Sequence, residues 1–393
     1  MQCEPFTLHR IKKTKKHSAY QCKERAQQKP QYQASTKIDN STVQIVRTKY
    51  IILTTMNKTL LTSKIGLLVA IFAVLFTSCE NNIIFDGEGD CSVHYKIKFA
   101  YDKNMKYADA FAKEVSSVSL YIFDTNGVLV YQGNETGSTL ADENYSMPIE
   151  LNPGKYNMLA WCGVGNGEYF TVPQAEIGVT SIDELKCKLN RNNGISDKEL
   201  APLFHGQQEI TIGEEPGIHY ETISLTKNTN TVRVVLQQLS GDDVDPSLFS
   251  FEIQDYNGYM AHDNTLLEDE LITYKPWSLS TGTADVNAEL HSRAASTVGV
   301  AVAELTTARL VEGENPLLVV KNMAEDKVVL SIPLVDYALL VKGNYNRNMS
   351  AQEYLDRQDE YNLTFFLDES GEWISSSIII NSWRVVLKNQ VIQ

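Results

Sequence analysis

The stretch VHYKIKF, residues 93–99, alternates apolar and polar residues along its whole length. Val93, Tyr95, Ile97 and Phe99 fall on one side; His94, Lys96 and Lys98 fall on the other. Successive side chains of an extended backbone point to opposite faces, so this period of two predicts a strand with one buried face. The pattern returns at Val118, Leu120 and Ile122. Asp124-Thr125-Asn126-Gly127 then supplies the residue types of a turn, and Val128–Tyr131 closes a hairpin. Asn152-Pro153-Gly154 is a second turn signal. It leads into 155–161, which reads as alternating again, and further strands are expected at Glu209–Ile212, His219–Leu225 and Thr231–Leu236.

Ser240–Ser247 interrupts this run with Gly241, Pro246 and three aspartates around a single apolar residue, Val244. It reads as a domain boundary. Beyond it, strands are expected at Ser250–Ile253, Thr297–Ala303, Leu317–Lys321 and Val328–Ile332, with helical pieces near Pro333–Leu340 and Ala351–Asp359. Tyr361–Leu367, the turn at Asp368–Gly371 and Trp373–Ile380 form a closing hairpin, and a last strand runs through Leu387. Many short strands separated by turn signals predict an all-β chain of two tandem sandwiches.

Upstream, KIGLLVAIFAVLFTSCE at 64–80 carries a basic flank, an apolar core from Ile65 to Phe76, and Thr77-Ser78 before Cys79. A run of roughly a dozen apolar residues is short against the ~20 that span a bilayer as a helix. It has the form of a secretory signal whose cleavage site falls at Cys79. That is the arrangement of a bacterial lipoprotein signal, and it makes Cys79 the lipidation candidate. Phe76 holds the place usually taken by leucine. A short membrane anchor and a coincidental buried strand are the competing readings. Residues 1–55 are rich in Lys, Arg and Gln, and Met56-Asn57-Lys58 is a natural start for the signal. The expected organisation is therefore an upstream extension over 1–55, a signal peptide over 56–78, a tether over 79–90, and sandwiches over 91–240 and 241–393.

The 393-residue chain has 49 Asp+Glu against 35 Lys+Arg, a formal net charge of −14. Setting the basic arm aside leaves the remainder still more acidic, which argues against nucleic acid as a partner. Roughly 310 residues follow Cys79, a length that suits two domains. Cys91, Cys162 and Cys187 are too few and too odd in number for a disulfide framework, although one bridge among them is open. No Cys-x-x-Cys pair or histidine cluster suggests a metal, and no cofactor motif is evident.

Candidate chemistry reduces to structural readings. The glycine-rich 163–167 follows a strand with no helix pattern after it, which does not suit phosphate binding. His205, beside Leu203 and Phe204, reads as structural. Asp263, Glu268, Asp269 and Glu270 are the nearest thing to an acid/base set, and read more simply as a solvated loop. Asp102, Asn104 and Asp109 offer oxygens suited to Ca²⁺, but without the spacing of a known loop. The simpler expectation has Asp102 and Asn104 forming turns while Tyr107 and Phe111 pack over the sheet end. No catalytic constellation emerges.

Four stretches carry a resemblance: Cys91–Phe111, Val118–Asp124, Leu151–Gly163 and Ile378–Trp383. Together they resemble the fimbrial anchor lipoproteins of Bacteroidales, the fimbrillin-associated minor subunits. The resemblance implies two transthyretin-like (Greek-key) β-sandwich domains, a lipid on Cys79, no enzyme activity, fimbrial pilin subunits as partners and attachment to the outer membrane. Pilins associate by β-strand addition, and Arg384–Gln393 is a candidate participant, with an ordinary last strand as the simpler reading. The alternative function is a surface glycan- or peptide-binding lipoprotein of a nutrient-uptake system. For that, Trp161, Trp277, Trp373 and Trp383 are the candidate aromatic platforms, of which Trp161 and Trp383 lie within alternating strands and read as core.

Overall fold

A computed structural model describes residues 92–285, 297–343 and 346–387. Cys79, Cys91 and the segments assigned to extension, signal and tether lie outside these described residues. The chain opens on β1 (Val93–Ala100), with Tyr95, Ile97 and Phe99 buried as the period of two predicts. One turn of helix, α1 (Phe111–Glu114), precedes the hairpin of β2 (Ser117–Phe123) and β3 (Leu129–Thr136). The turn between them is held by Asp124 Oδ1, which accepts the N–H groups of Asn126 and Val128 at 2.9 Å each. Gly127 sits there at φ +77°, where a side chain would strain the backbone.

Next come β4 (Met147–Ile149), β5 (Gly154–Cys162), β6 (Phe170–Thr171), β7 (Cys187–Leu189) and β8 (Ile195–Ser196). Then follow β9 (Phe204–Ile212), β10 (Gly217–Ser224), β11 (Thr226–Lys227), β12 (Thr229–Gln238) and β13 (Phe249–Asp255). The chain continues through β14 (Tyr259–Met260), β15 (Ile272–Tyr274), β16 (Ser278–Asp285), β17 (Thr297–Ala308), β18 (Leu317–Asn322) and β19 (Lys327–Pro333). Two short helices, α2 (Leu334–Leu339) and α3 (Ala351–Arg357), fall where the sequence places them, and Ser350 caps α3 by accepting the Glu353 N–H at 3.0 Å. The end is β20 (Glu360–Leu367), β21 (Trp373–Ile380) and β22 (Trp383–Val386).

The first sandwich faces the sheet β10-β1-β4 against β11-β9-β5-β2-β3. Its core joins Ile97 and Phe99 to Leu120, Ile122, Met158 and Ile210. The second faces β16-β17-β12-β20-β21-β22 against β19-β18-β13-β15-β8, around Val234, Phe251, Leu318, Leu363 and Phe365. A small sheet, β14-β7-β6, completes the set. The expected all-β sandwich architecture is what the chain adopts.

Two expectations change. The stretch 155–161 does not alternate in burial at its end, because Met158 to Cys162 are all buried. Met158, Ala160 and Cys162 face the first core, whereas Leu159 and Trp161 face the cluster holding Phe170, Leu185 and Cys187. A sheet covered on both faces needs a continuous apolar strand.

The boundary expected at 240/241 is also displaced. β12 pairs antiparallel with β17 and parallel with β20, so the chain has entered the second sandwich by Thr229. The acidic 240–247 stretch is a connection within that sandwich, fastened by Asp243 Oδ1 accepting the Gly299 N–H at 2.7 Å. Polarity with Gly and Pro marks a surface loop, and a surface loop need not divide two domains. The halves also exchange strands: β8 pairs with β15, and β7 with β14.

Polar contacts fix the junction. Asn228 and Asn264 exchange reciprocal amide hydrogen bonds at 2.6 and 3.1 Å in a buried setting. Lys227 Nζ bridges Glu114 at 2.9 Å and Asp359 at 2.6 Å, one from each half. Burial opposes its charge, but Asp359 and Glu114 together hold its pKa above the ordinary lysine value.

Candidate functional site

Asp263, Asp269 and His205 are occupied structurally, whereas Glu270 is a solvated side chain as the loop reading expects. His205 Nε2 lies 2.7 Å from the His262 carbonyl, and its ring meets Trp161 edge-on at 4.7 Å between centroids. Burial lowers its pKa to about 4, so it stays neutral. Asp269 makes a bidentate pair with Arg191 at 2.6 and 2.7 Å, both side chains nearly fully buried, and Asp263 caps Thr265. The glycine-rich 163–167 is a loop after β5, with Gly163, Gly165 and Gly167 all at positive φ. Cys162 in β5 and Cys187 in β7 are free buried thiols in different core clusters, and burial raises both pKa values. Among the described residues, no cluster of metal-ligating side chains occurs and no helix is long and apolar enough to cross a membrane.

The 101–111 segment is an ordered loop. Asn104 Nδ2 donates to the carbonyls of Tyr101 at 2.8 Å and Ala108 at 2.7 Å, and Asp109 Oδ1 accepts from the N–H groups of Tyr101 and Phe111 at 2.9 Å each. Asn104 is thus spent on local backbone as the simpler reading expects, whereas Asp102 Oδ1 instead accepts the Ser224 hydroxyl at 2.9 Å. Phe111 packs on Phe99 at 5.7 Å, but Tyr107 does not join it. Tyr107 takes φ +52° and is 61% exposed, with the Arg357 guanidinium 5.0 Å from its ring centroid. Arg357 also donates Nη1 to the Asp102 carbonyl at 3.2 Å and Nε to Glu353 at 3.0 Å. The loop's own hydrogen bonds impose the left-handed residue that turns Tyr107 outward.

The last strand is the second exposed feature. Asn381 and Ser382 both have positive φ, 47° and 70°, the geometry of a two-residue hairpin turn joining β21 to β22. β22 pairs only with β21, and among the described residues nothing pairs with its other edge. Trp383 is 61% exposed and Val386 is 67% exposed. The expectation that Trp383 is core is therefore wrong, whereas Trp161 is fully buried as expected and donates its indole N–H to the Leu185 carbonyl at 3.2 Å. Trp277 and Trp373 are half-buried, with indole nitrogens shielded from solvent, and make no open platform. The Arg384–Gln393 segment thus begins as an ordinary edge strand; 388–393 lie outside the described residues.

Tyr107 and Trp383 line one cavity of about 650 Å³. Leu340, Val341 and Tyr354 also line it, and Asn346, Gln358 and Asn381 add amides.

Residues 88–389 match the family described as fimbrillin-A associated anchor proteins Mfa1 and Mfa2. Among solved structures, an adhesin candidate from Bacteroides thetaiotaomicron VPI-5482 is 36% identical, with 77% of this chain and 100% of that chain covered and a TM-score of 0.69. A second protein of that organism, described as a polysaccharide-binding candidate, is 33% identical over 76% of this chain and 99% of its own, with a TM-score of 0.65. The fimbrial anchor protein Mfa2 from Porphyromonas gingivalis shares the fold at 16% identity, covering 76% of this chain and 100% of that one with a TM-score of 0.57. No curated protein sequence matches the chain.

Proposed function

This chain belongs to the family of fimbrillin-A associated anchor proteins, and from that premise we propose that it holds a fimbria on the outer membrane through acyl chains on Cys79 and through strand contacts with a pilin. The family supports a fimbrial, adhesive role for the chain and an association with fimbrial subunits. The observation that carries the finer reading is the edge of β22 left unpaired among the described residues, exposed at Trp383 and Val386. A free edge offers a row of backbone N–H and C=O groups for an added strand. The opposite end suits a tether. β1 follows Cys79 in sequence and lies between β10 and β4, so load arriving from the membrane meets a strand bonded on both sides. Two acyl chains are needed for stable attachment, since each buried CH₂ contributes ~0.8 kcal/mol and one chain binds only marginally.

Intact-mass analysis of protein extracted from outer membranes tests the tether. The expected mass is that of a chain starting at Cys79 and carrying acyl groups, absent from a Cys79→Ala variant. An unmodified chain in the soluble fraction would remove the lipid anchor from the account.

A further inference from the structure

The cavity at the sandwich junction carries chemistry that anchoring leaves unused. Tyr107 and Trp383 reach it from opposite ends of the described chain, each 61% exposed. Tyr107 itself takes a positive φ, costly for a bulky residue and found most at functional sites, while Trp383 directly follows the two-residue hairpin turn of Asn381 and Ser382. An aromatic ring offers a flat apolar face beside a polar tip, the surface on which the C–H face of a pyranose stacks. Asn346 and Gln358 add amides to the lining, with Gln358 Nε2 also donating to the Glu360 carbonyl, and amides that donate and accept suit sugar hydroxyls.

Charge narrows the ligand. The chain has 49 Asp+Glu against 35 Lys+Arg, yet the lining contains Lys342 and Arg384 and no carboxylate. In so acidic a protein, an acid-free patch with cations is where an anion is least repelled. A volume of about 650 Å³ is in the range of ligand clefts and accommodates a short oligosaccharide.

We propose that this cavity binds an acidic oligosaccharide, with Tyr107 and Trp383 stacking on sugar rings and Lys342 meeting a carboxylate. The site uses aromatic faces and amides where strand addition uses the backbone edge, although both draw on β22, and it does not depend on the lipid.

The test is binding of the full chain, purified in detergent, to an array of neutral and uronic- or sialic-acid-containing oligosaccharides, with acidic peptides beside them. The expected result is saturable binding of acidic saccharides. Trp383→Ala and Tyr107→Ala each weaken it by about tenfold or more with unchanged thermal unfolding, Trp383→Phe restores part of it, and Lys342→Gln removes the preference for acidic over neutral sugars. Absence of saccharide binding would overturn the proposal, as would binding indifferent to both aromatic substitutions. Capture of acidic peptides instead of saccharides would assign the cavity to a protein partner. Saccharide binding that appears only after deletion of residues 388–393 would make the chain's own tail the resident of the cavity.

Discussion

The first and last strands of the described chain hold opposite places in their sheets. β1 is a central strand: it runs parallel to β10 along all eight residues and antiparallel to β4 at Tyr95–Ile97, with Tyr95, Ile97 and Phe99 buried. β22 is an edge: four residues, one partner, and exposed side chains at Trp383, Arg384 and Val386. Both are ordinary β-sequence by composition. What separates them is how many of their backbone groups and side chains are already committed. A strand paired on both sides can transmit load and has nothing left to offer a partner. A strand paired on one side has a free ladder. The two strands therefore differ in how much of their ladder is already committed, β1 lying inside its sheet and β22 at the margin of its own.

The contrast predicts unequal costs. Phe99→Ala in β1 should destabilise the chain by about 3–5 kcal/mol, the usual loss for a large buried aromatic side chain. The shift would be measured by denaturant unfolding, and Val385→Ala in β22 should cost far less in the same assay. A near-equal loss at the two sites would break the comparison.

Proton concentration acts on the half that carries β22. Asp255, in β13, is buried, and burial raises its pKa to about 7. Between pH ~4 and ~7 the folded chain holds a proton that the unfolded chain releases, so this group makes stability fall as pH rises through that window. Asp255→Asn should abolish that contribution, raising stability near pH 8 by roughly 2–4 kcal/mol relative to the native residue. Hydrogen exchange across the pH range would show the gain in the second sandwich, and a gain confined to β1 and its neighbours would contradict the assignment.

The junction comes next. Lys227→Met leaves Glu114 and Asp359 without their shared cation. Because both carboxylates keep contact with solvent, the expected cost is about 1–2 kcal/mol, with the two sandwiches unfolding in separate steps by calorimetry. A single unchanged transition would mean that the amide pair and strand exchange suffice to couple them. The smallest effect on stability belongs to Val386→Lys, within about 0.5 kcal/mol because the side chain is exposed. A lysine on the free edge should nevertheless reduce pilin capture in a pull-down.

Legibility in the sequence follows from what a pattern can encode. Alternation located β1, β2, β20 and β21, and turn residues located the hairpins, because both signals are local. Strands of two or three residues, such as β6, β7, β8 and β14, are too short to show a period. Trp383 marks the deeper limit. Alternation says which face a side chain shares, but not whether another layer covers that face, and at β22 it leaves the indole exposed. Trp161, with the same pattern, is covered on its face by Phe170 and Leu185. Tyr107 was misread for a related reason: its outward turn is imposed by side-chain-to-backbone bonds of Asn104 and Asp109, invisible to hydropathy. Cys79 remains a sequence-based assignment.

The most direct measurement separates the two ends in cells by following where the fimbriae and this protein go in two variants. With Cys79→Ala, the account predicts that fimbriae are shed into the medium with the protein still attached to them. With the chain stopped after Ser382, it predicts that the protein stays in the outer membrane while fimbriae are shed without it. Identical fractionation of the two variants, or fimbriae retained on cells in both, would contradict the division of labour between β1 and β22.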